Sequence, residues 1–137
     1  MLDVLAPPWN RIPAHLVAQI ATCGFSGLSR YGARRSALAA PGIAEINTHV
    51  DIIDWKGGRR FVGGEQALLQ AIRHLAARRE ASVDPDEPTG WLTHHACHDE
   101  RAWAFLAELF ERLGPRQGVR WIGARDLFAP VRGPILR

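Results

Sequence analysis

The sequence predicts an α/β protein in which parallel strands alternate with helices and are too few to close a barrel. Three observations predict it. Short β-prone segments recur between longer stretches of helical periodicity, Pro and Gly punctuate the joins, and polar and ionisable residues gather where the predicted strands end. About four strands are legible in 137 residues, whereas a closed β/α barrel needs roughly eight.

The elements follow in order. Leu2, Val4 and Leu5 form a β-prone segment that stops at Pro7 and Pro8, because two successive prolines cannot donate to a sheet ladder. The loop Pro7-Pro8-Trp9-Asn10-Arg11 sits at its end. Over residues 13–23, Leu16, Val17, Ile20 and Ala21 repeat at helical spacing, with Pro13 suited to a first turn and Gly24 to the stop. Residues 27–32 hold one very short strand, and 34–42 read as an irregular connection. Residues 43–53, rich in Ile and Val, read as a buried strand whose end delivers His49, Asp51 and Asp54 before Gly57 and Gly58 break it.

The clearest helix spans 63–80, where Leu68, Leu69, Ile72, Leu75 and Ala76 make an apolar stripe expected to face the core. A proline-punctuated loop at 84–88 leads to a short strand at 91–93, which runs into His94. The next helix, 99–113, carries Asp99 and Glu100 in its first turn, where the helix dipole favours acids, and Gly114 with Pro115 ends it. A last strand is expected at 119–122 and a helical turn at 125–128.

Composition narrows the function classes. A 47% hydrophobic content with 23% charged residues fits a single globular domain over 1–137. The formal charge of +3 comes from scattered Arg doublets (Arg34-Arg35, Arg59-Arg60, Arg78-Arg79) rather than a basic stripe with interleaved aromatics, so no nucleic-acid partner is expected. Cys23 and Cys97 form neither a C-x-x-C pair nor a dense framework, which fits a reducing compartment. No signal peptide or membrane-length apolar run is visible, so a cytoplasmic protein without a membrane partner is expected.

Three strand ends carry candidate chemistry, and together they resemble the polysaccharide deacetylase (NodB-homology) family. Ala6-Pro7-Pro8-Trp9 is similar to that family's Arg-x-Pro-aromatic motif, with Ala6 in place of the arginine and Arg11 nearby to take its role. Asp51-Ile52-Ile53-Asp54-Trp55 matches Asp-x-x-Asp-Trp, and Leu92-Thr93-His94 matches Leu-x-His, in the family's order. The resemblance implies the C-terminal half of a (β/α) barrel, its N-terminal half being absent, that deacetylates N- or O-acetylated saccharides by metal-assisted hydrolysis.

Carried over residue by residue, the resemblance makes His94 the general acid for the leaving amine. A histidine suits that task because its pKa lies near neutrality. Asp54 would hydrogen-bond the His94 ring. The N–H of Trp9 would help hold the oxyanion, Asn10, Arg11 and Asp51 would face the saccharide, and Trp55 and Leu92 would wall the acetyl pocket. His95 stands where the family commonly has Asp. The family's divalent metal, zinc or similar, and its catalytic base belong to two motifs that precede these and do not occur before Pro7. His94 and His98 have His-x-x-x-His spacing but fall in the wrong order. Metal binding lowers the pKa of water from about 16 to roughly 7, so the chain alone is expected to be inactive or nearly so.

Ordinary roles compete with these. Asp51 and Asp54 could cap the turn before Gly57. Trp91, Trp103 and Trp121 read as core and rim aromatics, and His15 and His74 as solvated helix residues. His94, His95, Cys97 and His98 are possible zinc ligands, but four ligands so close in sequence rarely surround one ion. The rival function is a non-catalytic module that binds saccharide or another partner through Trp9, Asn10, Arg11 and Trp55. An unpaired strand edge at the N-terminal side predicts self-association.

Overall fold

Residues 2–129 are described by a computed structural model, and the expected domain, 1–137, extends past both ends of that range. β1 (Val4–Leu5), β2 (Gly27–Leu28), β3 (Leu38–Ala40) and β4 (Ile43–Glu45) form one sheet in the order β1, β2, β4, β3. β1, β2 and β4 are parallel, with Val4 opposite Gly27 and Leu28 opposite Glu45. β3 is antiparallel to β4 and turns the expected irregular connection into a hairpin. Among the described residues β1 has no second partner, so the expected open edge is present there.

The strand expected over 43–53 is interrupted. β5 (Val50–Asp51) and β6 (Ile53–Asp54) continue its path, but β5 pairs with β8 (Trp91–Leu92) in parallel while β6 pairs with β7 (Arg60–Phe61) antiparallel. The change of partner has a local cause. The Asp51 carboxylate takes the N–H of Ile53 at 2.9 Å, a side-chain bond that competes with the ladder and turns the backbone. A parallel bridge between Tyr31 and Thr48 carries the β2 pairing up to this point. The stretch 43–51 therefore has β2 and β8 as parallel neighbours.

Helices cover these strands. Residues 13–23 give only one short α-helix, α1 (Ala14–Val17), followed by a 3₁₀ turn over Ile20–Cys23 that ends at left-handed Gly24. α2 (Gly64–Arg79) and α3 (Glu100–Leu113) lie within a residue of expectation, and Asp99 caps α3 by accepting the Ala102 N–H at 2.8 Å. α4 (Ala124–Leu127) closes the described chain. Residues 119–122 are not a strand; Trp121 packs on Phe110 with ring centroids 4.5 Å apart instead of meeting a sheet edge.

Among the described residues the core forms two clusters. Val17, Ile20, Leu28 and Ile43 pack under the first sheet, and Val50, Ile52, Ile53, Phe61, Ala67, Ala71, Ala102, Leu106 and Leu109 form the larger one. α2 presents Ala67, Ala71 and His74 to the strands, while Leu68, Ile72 and Leu75 of the expected stripe are exposed. The small alanine side chains let the α2 backbone approach β5 closely. Solvated His74 is thereby corrected to buried His74, 7% exposed.

Gly90 sets the spacing of β8 against 43–51. Its carbonyl accepts the N–H groups of His49 and Val50, at 2.7 and 3.1 Å, and a Cβ there would run into the Asn47 carbonyl oxygen. Gly90→Ala is expected to destabilise the fold by about 1–3 kcal/mol through this overpacking. Urea unfolding followed by circular dichroism checks it, and an unchanged midpoint would mean that the strands separate without cost.

Candidate functional site

Parallel pairing puts the carboxyl ends of neighbouring strands on one edge, and loops at that edge are where α/β folds build sites. Here the edge carries the Trp9-Asn10-Arg11 loop after β1, Arg30 and Tyr31 after β2, Asp51 to Trp55 after β5 and His94 after β8. Asp51 and Leu92 are register partners, so Asp51 and His94 leave adjacent strands side by side.

Asp51 is the centre of the group. Its Oδ2 accepts the Trp55 indole N–H at 2.8 Å, and its Oδ1 lies 3.6 Å from His94 Nε2. The second distance is too long for a hydrogen bond but close for a charge. Trp55 meets the His94 ring edge to face, with centroids 4.7 Å apart. The backbone of Asp51 is fixed from α2, since its N–H donates to Gln70 Oε1 at 2.9 Å and its carbonyl accepts from Gln70 Nε2 at 3.1 Å. The Tyr31 hydroxyl sits 3.2 Å from both Gln70 Oε1 and the His49 carbonyl oxygen. Burial, reinforced by the nearby Asp51 charge, raises the Tyr31 pKa.

The expected His94–Asp54 hydrogen bond is replaced by this arrangement. Asp54 Oδ1 accepts the N–H groups of Lys56 and Gly57 at 3.1 and 2.7 Å, so it caps the turn, the ordinary role for Asp before two glycines. Gly57 is needed there because a Cβ would run into the Asp54 carboxylate. The carboxylate beside His94 is that of Asp51.

The other expected residues divide. Trp55 is 45% exposed at the edge, and Leu92 is half-buried within β8. Trp9 is 87% exposed, and Trp9 and Asn10 both adopt left-handed backbone with φ of 57° and 56°. The Trp9 N–H has no acceptor among the described residues. Arg11 is exposed, and its side chain has no hydrogen-bond or ion-pair partner among the described residues. His94, His95, Cys97 and His98 do not converge on one point; His98 instead packs against Trp103, centroids 4.5 Å apart, and burial lowers its pKa.

A second polar group escapes the sequence reading. His49 and His74 stack with centroids 3.4 Å apart and planes 16° from parallel, and His49 Nε2 lies 3.3 Å from Oε2 of the fully buried Glu87. Glu87 also accepts the N–H of Arg34 at 2.8 Å and of Asn47 at 2.9 Å. Burial pushes the Glu87 carboxyl up, but the contact with His49 and the two N–H donors outweigh it and hold the pKa below the usual value. Ala67, Gln70, Ala71 and His74 recur at helical spacing, and that pattern is the signal which could have revealed the inner face of α2.

His49, His74 and Glu87 offer three ligand atoms within 4.8 Å of one another, close enough for one ion. The donor set does not fit a metal. Gly90 donates its N–H to His49 Nδ1 at 3.0 Å, so in the neutral ring the hydrogen is on Nε2, which points at Glu87 and has no lone pair to give. No family model, curated protein or solved structure matches the chain. No helix among the described residues is long and apolar enough to cross a membrane.

Proposed function

We propose that the chain forms the acid and substrate-wall side of a saccharide deacetylase site, on the C-terminal portion of a (β/α) barrel. The observation that carries the reading is the meeting of His94 and Asp51 at the ends of adjacent parallel strands, with Trp55 contacting both. Three further features support it. β1, β2, the 43–51 stretch and β8 follow one another in parallel, as barrel strands do; the Trp9 N–H is unused among the described residues; and Trp55 and Leu92 flank the acid.

In this reading Asp51, not Asp54, sets the His94 ring. With Nε2 turned to Asp51, Nδ1 is the ring atom left to face the leaving amine, and among the described residues it has no partner. Trp55 Nε1 fixes the carboxylate so that it cannot rotate away, and Gln70 fixes its backbone.

The test is a nuclear magnetic resonance titration with acetate, the expected product, and with an N-acetylglucosamine tetramer. Both should shift the Trp55 indole and His94 ring signals saturably, and the glucosamine tetramer lacking acetyl groups should bind at least about tenfold more weakly. Asp51→Asn should remove the His94 response. Equal binding of the two tetramers would favour the second reading, a non-catalytic saccharide module built on the exposed Trp9 and Trp55.

A further inference from the structure

A separate cavity of about 450 Å³ opens at the same strand edge, between the ends of β1 and β2 and the middle of 43–51. Its walls include Asn10, Arg30, Tyr31, Arg35, Glu45 and Asn47. We propose that this cavity binds the anionic group of a charged saccharide, a carboxylate or phosphate, beside the His94–Asp51 site. That the ligand is a saccharide rests on the deacetylase reading; that it is an anion rests on the cavity alone.

Charge balance favours an anion. Glu45 is buried, and its Oε1 takes both Nε and Nη2 of Arg30 together with Nδ2 of Asn47. Arg30 and Glu45 thus neutralise each other. Arg35 is exposed and has no ion-pair or hydrogen-bond partner among the described residues, whereas its neighbour Arg34 is held by Asp84 at 2.8 Å. One arginine with no partner among the described residues therefore lines a polar cavity, and its planar fork suits two-point contact with a carboxylate or phosphate.

The remaining walls suit a hydroxyl-rich ligand. Asn10 offers an amide and Tyr31 a phenol, while the Asn47 amide is already held by Glu45 and the Arg30 N–H; Asn10 is joined to the exposed Trp9, whose ring is free to stack on a sugar face. Tyr31 also links the cavity to the acid site through Gln70, which holds Asp51. An anionic substituent seated at Arg35 would orient the rest of the sugar chain along that edge.

Calorimetry and nuclear magnetic resonance with glucose, glucuronate and glucose 6-phosphate test the proposal. One or both anionic sugars should bind at least about tenfold more tightly than glucose and should shift Tyr31 and Arg35 signals. Whichever binds tighter identifies the anion. Arg35→Gln, a surface change that leaves the Arg30–Glu45 pair intact, should abolish the preference. Equal affinity for all three sugars, or a preference that survives Arg35→Gln, would overturn it. N-acetylglucosamine monitored at His94 and Trp55 reports separately on the deacetylase reading. A response there without anion preference sinks only the cavity proposal, and anion preference without that response upholds the cavity while removing the deacetylase.

Discussion

Replacing Glu87 by alanine is expected to destabilise the fold by about 3–5 kcal/mol, a large share of the stability of a domain this size. The carboxylate is fully buried and receives the N–H groups of Arg34 and Asn47, two backbone donors with no other acceptor among the described residues, and it faces His49. Alanine strands both donors and leaves a void. Glu87→Gln should cost less, because its amide oxygen still accepts one donor while its NH₂ opposes the other. Denaturant unfolding of the three proteins gives the order directly. A Glu87→Ala midpoint equal to the parent's would mean that the loop at 84–89 is not anchored as described.

Acid should weaken the fold before the carboxylates titrate. His74 is held from its ordinary 6.5 down to about 4, first by burial and then by the neighbouring His49, with Arg78 adding to the effect and Glu87 opposing it. The unfolded chain therefore takes up a proton between these values that the folded chain refuses. The stability is complete above about 6.5 and is lost as pH falls toward 4, with a slope approaching ~1.4 kcal/mol per pH unit. Glu87 loses its contribution only as pH falls below its ordinary 4.5, so unfolding measured from pH 7 to 5 isolates histidine. His74→Phe retains a ring against His49 and should flatten the slope. An equally steep slope in that variant would assign the loss to another group, His98 first, since burial lowers its pKa as well.

The alternation of strands and long helices was legible because 3.6-residue and two-residue patterns are local. α2 and α3 lie where periodicity puts them, with Glu100 in the first turn of α3 and Asp99 capping it. The orientation of α2 was not legible. Apolar residues such as Ile72 need not be inside, whereas a close helix-to-strand approach requires small ones, and only the tertiary fit selects Ala67 and Ala71. The site was legible to the level of Asp51, Trp55 and His94 sharing an edge. Which of two aspartates three residues apart meets the histidine depends on where the strand bends, and that bend is made by the Asp51 side chain itself. Glu87 could not be read at all, since a glutamate in the proline-punctuated turn that follows Asp84 and Asp86 looks like solvent-facing loop until its three partners arrive from elsewhere in the chain.

The stretch 43–51 contributes Ile43 to one apolar cluster and Val50 to the other, and between them Asn47 and His49 are clamped to the loop carrying Glu87 and Gly90. It serves as a common beam on which both halves of the molecule hang. Loosening at either end is therefore transmitted to Asp51, so sequence drift in parts of the protein remote from the histidine would be felt as misalignment of the Asp51–His94 pair before it was felt as loss of fold.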